Sequence, residues 1–280
     1  MAGLHAINHT QSNRKKGCLG MYKPFDLTGK VALITGGNGG IGLGMAHGLA
    51  QAGAGIAIWG TNPEKNAQSL AQLKAHGRPV SARVVNVADE AAVVRAMEET
   101  VAEMGRVDCC IANAGIGSAA ASFLDITAEK YRKVLAVNED GVFFTLREAA
   151  RHMVERGKRG DTAGGSLVGV ASLAAIEGAA RNQHYAATKG AVISMIKGIA
   201  VEFARYGVRA NAILPGWIAT DMTAGAQASP AFTDKVIPRI PARRWGEPDD
   251  FSGIAVYLAS DASRYHSGDT FVIDGGYAIF

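Results

Sequence analysis

The sequence predicts an α/β protein with a doubly wound, mostly parallel sheet of seven strands and helices on both faces. Two observations carry this. Seven short apolar runs are bounded by glycine, proline, asparagine or serine, and most are separated by helical stretches of ten or more residues. Parallel neighbours need crossovers of that length, and such crossovers are right-handed. The second observation is a glycine-rich turn, Thr35-Gly36-Gly37-Asn38-Gly39-Gly40-Ile41-Gly42, set between the first apolar run and the first helical stretch.

Residues 31–34 make the first strand, and the turn leads into a helix that reaches Gln51. Strand, glycine-rich turn and helix N-terminus together form a phosphate cradle, because small residues let backbone N–H groups approach an anion that the positive helix end favours. The spacing Thr-Gly-x-x-x-Gly-x-Gly arises by chance only about 0.03 times in a chain of this composition. The second strand, 55–59, ends in Gly60-Thr61-Asn62, and Asn62-Pro63 is an N-cap with proline in the first turn of a helix over 63–76. A third strand over 80–87 contains Asn86 and Val87 at its end, and a helix follows over 89–104. The fourth strand, 107–112, closes on Asn113-Ala114-Gly115. A long amphipathic helix over 128–156 carries Asn138. The fifth strand, 166–171, is a continuous apolar run of the kind buried on both faces, and it ends at Ser172. A helix begins just before Tyr185. The sixth strand, 208–214, is closed by Pro215-Gly216, and an irregular stretch over 217–247 includes Ile218 and Thr220. A helix over 249–260 and a last strand over 270–274 complete the domain.

Tyr185 and Lys189 stand four apart, on one helix face and a single turn from each other. A free phenol, with a pKa of about 10, is a poor acid or base at neutral pH. A neighbouring ammonium and the positive first turn of a helix both favour the phenolate. Alone, the pair is weak evidence: about 0.3 such pairs arise by chance, and a core tyrosine beside a solvated lysine has the same spacing. Ser172 strengthens it, since a hydroxyl at a strand's C-terminal end near the tyrosine can hydrogen-bond a substrate carbonyl.

Composition narrows the classes. With 48% hydrophobic and 19% charged residues, the chain is an ordinary globule with a large core. No window holds eighteen uninterrupted apolar residues, so no membrane-spanning helix is expected. Of the net charge of +4, three come from Arg14, Lys15 and Lys16 in a leading stretch without acidic residues. The remainder is near neutral, which argues against a nucleic-acid partner. The three cysteines, Cys18, Cys109 and Cys110, are odd in number and lack metal-ligand spacing. Neither a disulfide framework nor a metal is expected, and a reducing cytoplasm fits best. Residues 1–24 read as a flexible N-terminal extension, with Met21 a candidate start of the folded unit. Residues 25–280 read as one domain without internal repeats.

These motifs resemble those of the short-chain dehydrogenase/reductase family over about residues 26–277. The resemblance implies a Rossmann-type sheet and an NAD(P)-dependent oxidoreductase that interconverts a ketone and a secondary alcohol. It implies that Gly36, Asn38, Gly39, Gly40, Ile41 and Gly42 hold the coenzyme, with Asn113, Ala114 and Gly115 steadying the sheet beside it. Asn138, Ser172, Tyr185 and Lys189 fall on the family's four catalytic positions. Tyr185 is then the general acid/base, Lys189 lowers its pKa and holds the nicotinamide ribose, Ser172 orients the carbonyl, and Asn138 anchors a water in a proton relay. Pro215, Gly216, Ile218 and Thr220 match the segment at the nicotinamide end. Relatives of this length commonly form homotetramers. Candidate substrates are 3-oxoacyl thioesters, sugars or polyols, and other small ketones, met in a pocket near 173–176, Gln183, His184 and the lid 217–245.

The departures from the pattern bear on the coenzyme. At the adenine side Asn86 and Val87 stand where relatives carry an aspartate. At the ribose, an acid at position 60 would bind the 2′-hydroxyl and repel a 2′-phosphate, whereas an arginine at 61 would clamp that phosphate. Gly60, Thr61 and Asn62 supply neither. Absence of the acid removes the barrier to NADP, which is favoured over NAD. The alternative reading is a catalytically silent dinucleotide-binding scaffold or sensor, against which the four intact catalytic positions count.

Overall fold

In the computed structural model, residues 22–280 are described. Arg14, Lys15, Lys16, Cys18 and Met21 lie outside the described residues. Seven strands form one sheet in the order β3-β2-β1-β4-β5-β6-β7, every neighbouring pair parallel. They are β1 Val31–Thr35, β2 Gly55–Gly60, β3 Val80–Val84, β4 Cys109–Ala112, β5 Gly165–Val170, β6 Val208–Pro215 and β7 Thr270–Ile273. The helices are α1 Gly40–Gln51, α2 Pro63–Lys74, α3 Glu90–Met104, α4 Ala128–Leu135, α5 Gly141–Lys158, α6 Ala174–Glu177, α7 Gln183–Glu202, α8 Ala224–Gln227, α9 Pro230–Val236 and α10 Ser252–Ala259.

The strands are buried on both faces, so their residues alternate between two cores. Leu33, Cys110, Leu167 and Ala212 face one core with α3, α5 and α7. Ile34, Ile111, Val168 and Ile213 face the other, with Met45 and Leu49 of α1 and Leu258 of α10. Burial also explains the two inert thiols: it pushes Cys109 up to about 12 and raises Cys110 as well. The chain runs outward from β1 through β2 to β3, then returns to β4 on the other side of β1. That reversal opens a crevice at the C-terminal strand ends between β1 and β4, where such sheets bind ligands.

Side-chain caps fix several helix starts as the sequence implies. Asn62 accepts from the Lys65 N–H at 2.8 Å, and Asp89 accepts from that of Ala92 at 3.0 Å. Two expectations change. The helix over 128–156 is not uniform, because a five-residue π turn, Ala136–Asp140, separates α4 from α5. The extra residue turns Asn138 into the interior, where it is fully buried. Lys23–Phe25 form a 3₁₀ turn, and the Phe25 ring lies 6.5 Å from that of Tyr257. Strand β3 stops at Val84 rather than Val87, since Val87 turns inward and packs against Gly141.

Candidate active site

The glycine-rich turn meets the end of β4. The Thr35 hydroxyl accepts from the N–H groups of Asn113 and Ala114, each at 3.0 Å. The Asn113 amide returns a bond to the Thr35 carbonyl at 2.9 Å and another to that of Gly36 at 3.3 Å. A side chain on Gly42 would strike the Gly36 carbonyl and the Asn113 amide, and Gly36 itself has a left-handed φ of 63°. Gly39 faces open space and gives α1 no side-chain cap. The first N–H groups of α1 therefore lack a side-chain cap beside a bare backbone, an arrangement that fits a dinucleotide diphosphate.

At the adenosine end, Asn38 donates to Asn66 at 2.7 Å, and Asn66 donates to the carbonyls of Gly60 and Arg83. Thr61 and Asn62 are exposed beyond them. Asn86 is exposed too, its side-chain oxygen accepting from the Ala88 N–H at 3.2 Å, whereas the Val87 side chain belongs to the core. Of that pair, only Asn86 has a side chain free to face an adenine.

Across the crevice four predicted residues converge. Asn138 clamps Ile116 from both sides, accepting its N–H at 2.8 Å and donating to its carbonyl at 2.9 Å. A Cβ on Gly115 would lie 3.4 Å from both the Asn138 oxygen and Lys189 Nζ, so that glycine is the seam between them. Lys189 is buried, donates to the Val170 carbonyl at 2.8 Å, and holds its ammonium 5.6 Å from the centre of the Tyr185 ring. Tyr185 is the third residue of α7, in its positive first turn as expected. Ser172 stands just past the end of β5, its hydroxyl accepting from the Ala174 N–H at 3.2 Å.

The pKa values differ from the sequence expectation. Burial pushes the Tyr185 phenol up, with Ser172 pulling the other way, and Lys189 is not among the causes. Burial also holds Lys189 down to about 8. The reason is physical: a dry site disfavours both charged forms, and the ammonium is already engaged with a backbone carbonyl.

The 217–247 stretch packs on the phosphate turn and on itself. Ile218 bridges to Gly246, Thr220 packs against Gly40, and Trp217 stands 5.0 Å from Phe232 and 6.1 Å from Trp245, ring centre to ring centre. Leu173, next to Ser172, packs with Val236, Ile240 and Tyr277. Gly216 is held against Asp274, beside Pro215 at the end of β6. Among the described residues, no group of three or more His, Cys, Asp or Glu is placed to hold a metal ion.

A family model described as enoyl-(acyl carrier protein) reductase matches residues 36–278. The chain belongs to the short-chain dehydrogenase/reductase family. It is 36% identical over 253 residues to a 2-dehydro-3-deoxy-D-gluconate 5-dehydrogenase of Dickeya dadantii, covering 90% of this chain and 97% of the relative. It is 35% identical to a gluconate 5-dehydrogenase of Gluconobacter oxydans, covering 91% and 97%. A solved gluconate 5-dehydrogenase of Burkholderia cenocepacia, in complex with NADP and tartrate, shares 38% identity at a TM-score of 0.85, covering 91% of this chain and 97% of that one.

In this member of the short-chain dehydrogenase/reductase family the glycine-rich turn meets Asn113, and Gly115 lies between Asn138 and Lys189, whereas the Val87 side chain is in the core. Sequence reading missed Asn66, whose amide closes over Gly60, and Lys65, whose ammonium reaches Asp221 of the lid at 2.5 Å. Asn66 carries no local signal. Lys65 carried one: a cation in the first turn of a helix opposes the helix dipole, so some other partner must favour it there.

Proposed function

We propose that this protein is an NADP(H)-preferring oxidoreductase that interconverts a ketone and a secondary alcohol on a polyhydroxylated acid of the sugar-acid class. The bound coenzyme supplies or takes up the hydride. The Tyr185 hydroxyl gives or receives the proton at the substrate oxygen, Ser172 donates to the same oxygen, and Lys189 fixes the coenzyme side of the phenol. Asn138 acts as a positioning residue through its clamp on Ile116.

The observation that carries the substrate class is a concentration of unpartnered polar groups. Asn182 Oδ1, Gln183 Oε1 and both ring nitrogens of His184 are buried without hydrogen-bond partners, immediately before Tyr185, and so is Thr233 Oγ1 on α9. Buried donors and acceptors left unpaired are costly, and three such side chains in a row next to Tyr185 favour a ligand rich in hydroxyls over an apolar one. Arg181, exposed and held at a left-handed φ of 66°, suits the acid's carboxylate. The gluconate-type relatives support the same class.

We also propose a cytoplasmic homotetramer. Among the described residues no helix is long and apolar enough to cross a membrane. Exposed Phe143 on α5, and Val272, Ile279 and Phe280 at the C-terminal edge, are the apolar surfaces that assembly would cover. The substrate test is a screen of sugar acids, neutral sugars, polyols and 3-oxoacyl thioesters with both coenzymes, read by reduced-nicotinamide absorbance. Turnover of sugar acids is expected. Turnover confined to 3-oxoacyl thioesters would overturn the assignment.

A further inference from the structure

Lys65 and Asp221 are 156 residues apart and belong to opposite sides of the coenzyme crevice. Lys65 stands in the first turn of α2, just past Gly60, Thr61 and Asn62, where the second strand of such a fold delivers the adenosine ribose. Asp221 opens the lid directly after Thr220, whose methyl carbon lies against Gly40 of the phosphate turn. Their ion pair at 2.5 Å therefore spans the crevice from the ribose end to the lid. Two other charged groups on this side are committed elsewhere. Arg83 is held by Glu99 and Glu103 at 2.7 Å each, and Asp89 caps α3.

We propose that Lys65 is the cation that reads the 2′-phosphate of NADP(H), and that Asp221 is its competing internal anion. Three features support this. The 60–62 segment holds no arginine to clamp the phosphate and no acid to repel it, so discrimination falls to a residue further on. Lys65 also sits against the polarity of its own helix, a placement that an anion beside the helix N-terminus makes favourable. Finally, the pair is loosely held, with the Lys65 side chain 50% exposed and that of Asp221 88% exposed. A carboxylate in that setting is a weak partner. A phosphate monoester, with a charge of roughly −2, is a stronger one and can draw Lys65 away. NAD(H) has no such group and leaves the pair intact. Binding of NADP(H), but not NAD(H), would thereby release the lid's first turn from α2.

The test is equilibrium binding, measured by calorimetry and by fluorescence of Trp217 and Trp245, for NADP⁺, NAD⁺ and the fragments 2′,5′-ADP and 5′-AMP. Lys65→Gln is expected to weaken NADP⁺ and 2′,5′-ADP about tenfold, as loss of a charge-assisted contact does, while NAD⁺ and 5′-AMP change less than about twofold. Asp221→Asn, which keeps the shape and removes the charge, is expected to tighten NADP⁺ and 2′,5′-ADP by about threefold and leave NAD⁺ unchanged. The double variant should match Lys65→Gln, because Asp221 acts only through the lysine. Equal changes for both coenzymes would mean that the pair is only a lid latch and would overturn the proposal. So would an Asp221→Asn effect that survives without Lys65, or no change in either single variant.

Discussion

The Asn38 side-chain amide donates to the Asn66 side-chain oxygen at 2.7 Å, and the two amides occupy the space that a side chain on Gly60 would need. From the sequence alone, an aspartate at position 60 is the simplest way to favour NAD. In the fold, its Cβ would meet both asparagines before its carboxylate reached any ribose.

Gly60→Asp is therefore expected to lose stability by about 1–3 kcal/mol through overpacking and to weaken both coenzymes. Thermal unfolding and coenzyme dissociation constants check this. A variant of wild-type stability that swings cleanly to NADH would show that the amide pair yields without cost. Thr61→Arg meets no such obstacle, since Thr61 is exposed, and should favour NADP⁺ by about 1–3 kcal/mol.

Tyr185→Phe removes the hydroxyl to which the proposed function assigns the proton transfer. Turnover should fall by roughly two to four orders of magnitude, with coenzyme affinity little changed. A variant that keeps more than about a tenth of wild-type turnover would move the acid/base role to another group.

Lys189 makes stability depend on pH in a direction that can be read in advance. Its folded pKa is about 8, below the ordinary 10.5, so between those values the unfolded chain binds the extra proton. Stability from this group therefore rises as pH increases from about 8 to 10.5, by up to about 3 kcal/mol in the coenzyme-free protein. Below pH 8 the penalty of burying the charged ammonium is fully present. Denaturant unfolding of wild type and Lys189→Met across that window should show the wild type gaining on the variant. Parallel pH profiles would place the lysine's folded pKa near its ordinary value.

Assembly should follow the exposed apolar surfaces. Ile279 is 92% and Phe280 69% exposed at the chain end, beside the edge strand β7. Sedimentation equilibrium is expected to give a tetramer, and Phe280→Ser with Ile279→Ser to shift it towards dimers. A folded species of about 29 kDa at micromolar concentration would exclude the tetramer.

The sequence by itself determined the sheet, the phosphate turn and the pairing of Tyr185 with Lys189 on one helix face, because each is written in local pattern. Apolar runs bounded by turns specify buried strands, and Thr35 to Gly42 and Tyr185 to Lys189 are contiguous. Their spacing carries the geometry before any tertiary contact forms. Tertiary structure alone decided what those groups meet. Asn138 reads as an ordinary helix residue until a π turn brings it onto Ile116, 22 residues away in the chain. The phenol and ammonium of Tyr185 and Lys189 look mutually stabilising in a helix, yet burial governs both once the sheet closes beneath them. Asn66 against Asn38 and Lys65 against Asp221 are pairings between distant segments, fixed by packing. Local sequence encodes conformation, but desolvation and long-range partners exist only after the chain has folded.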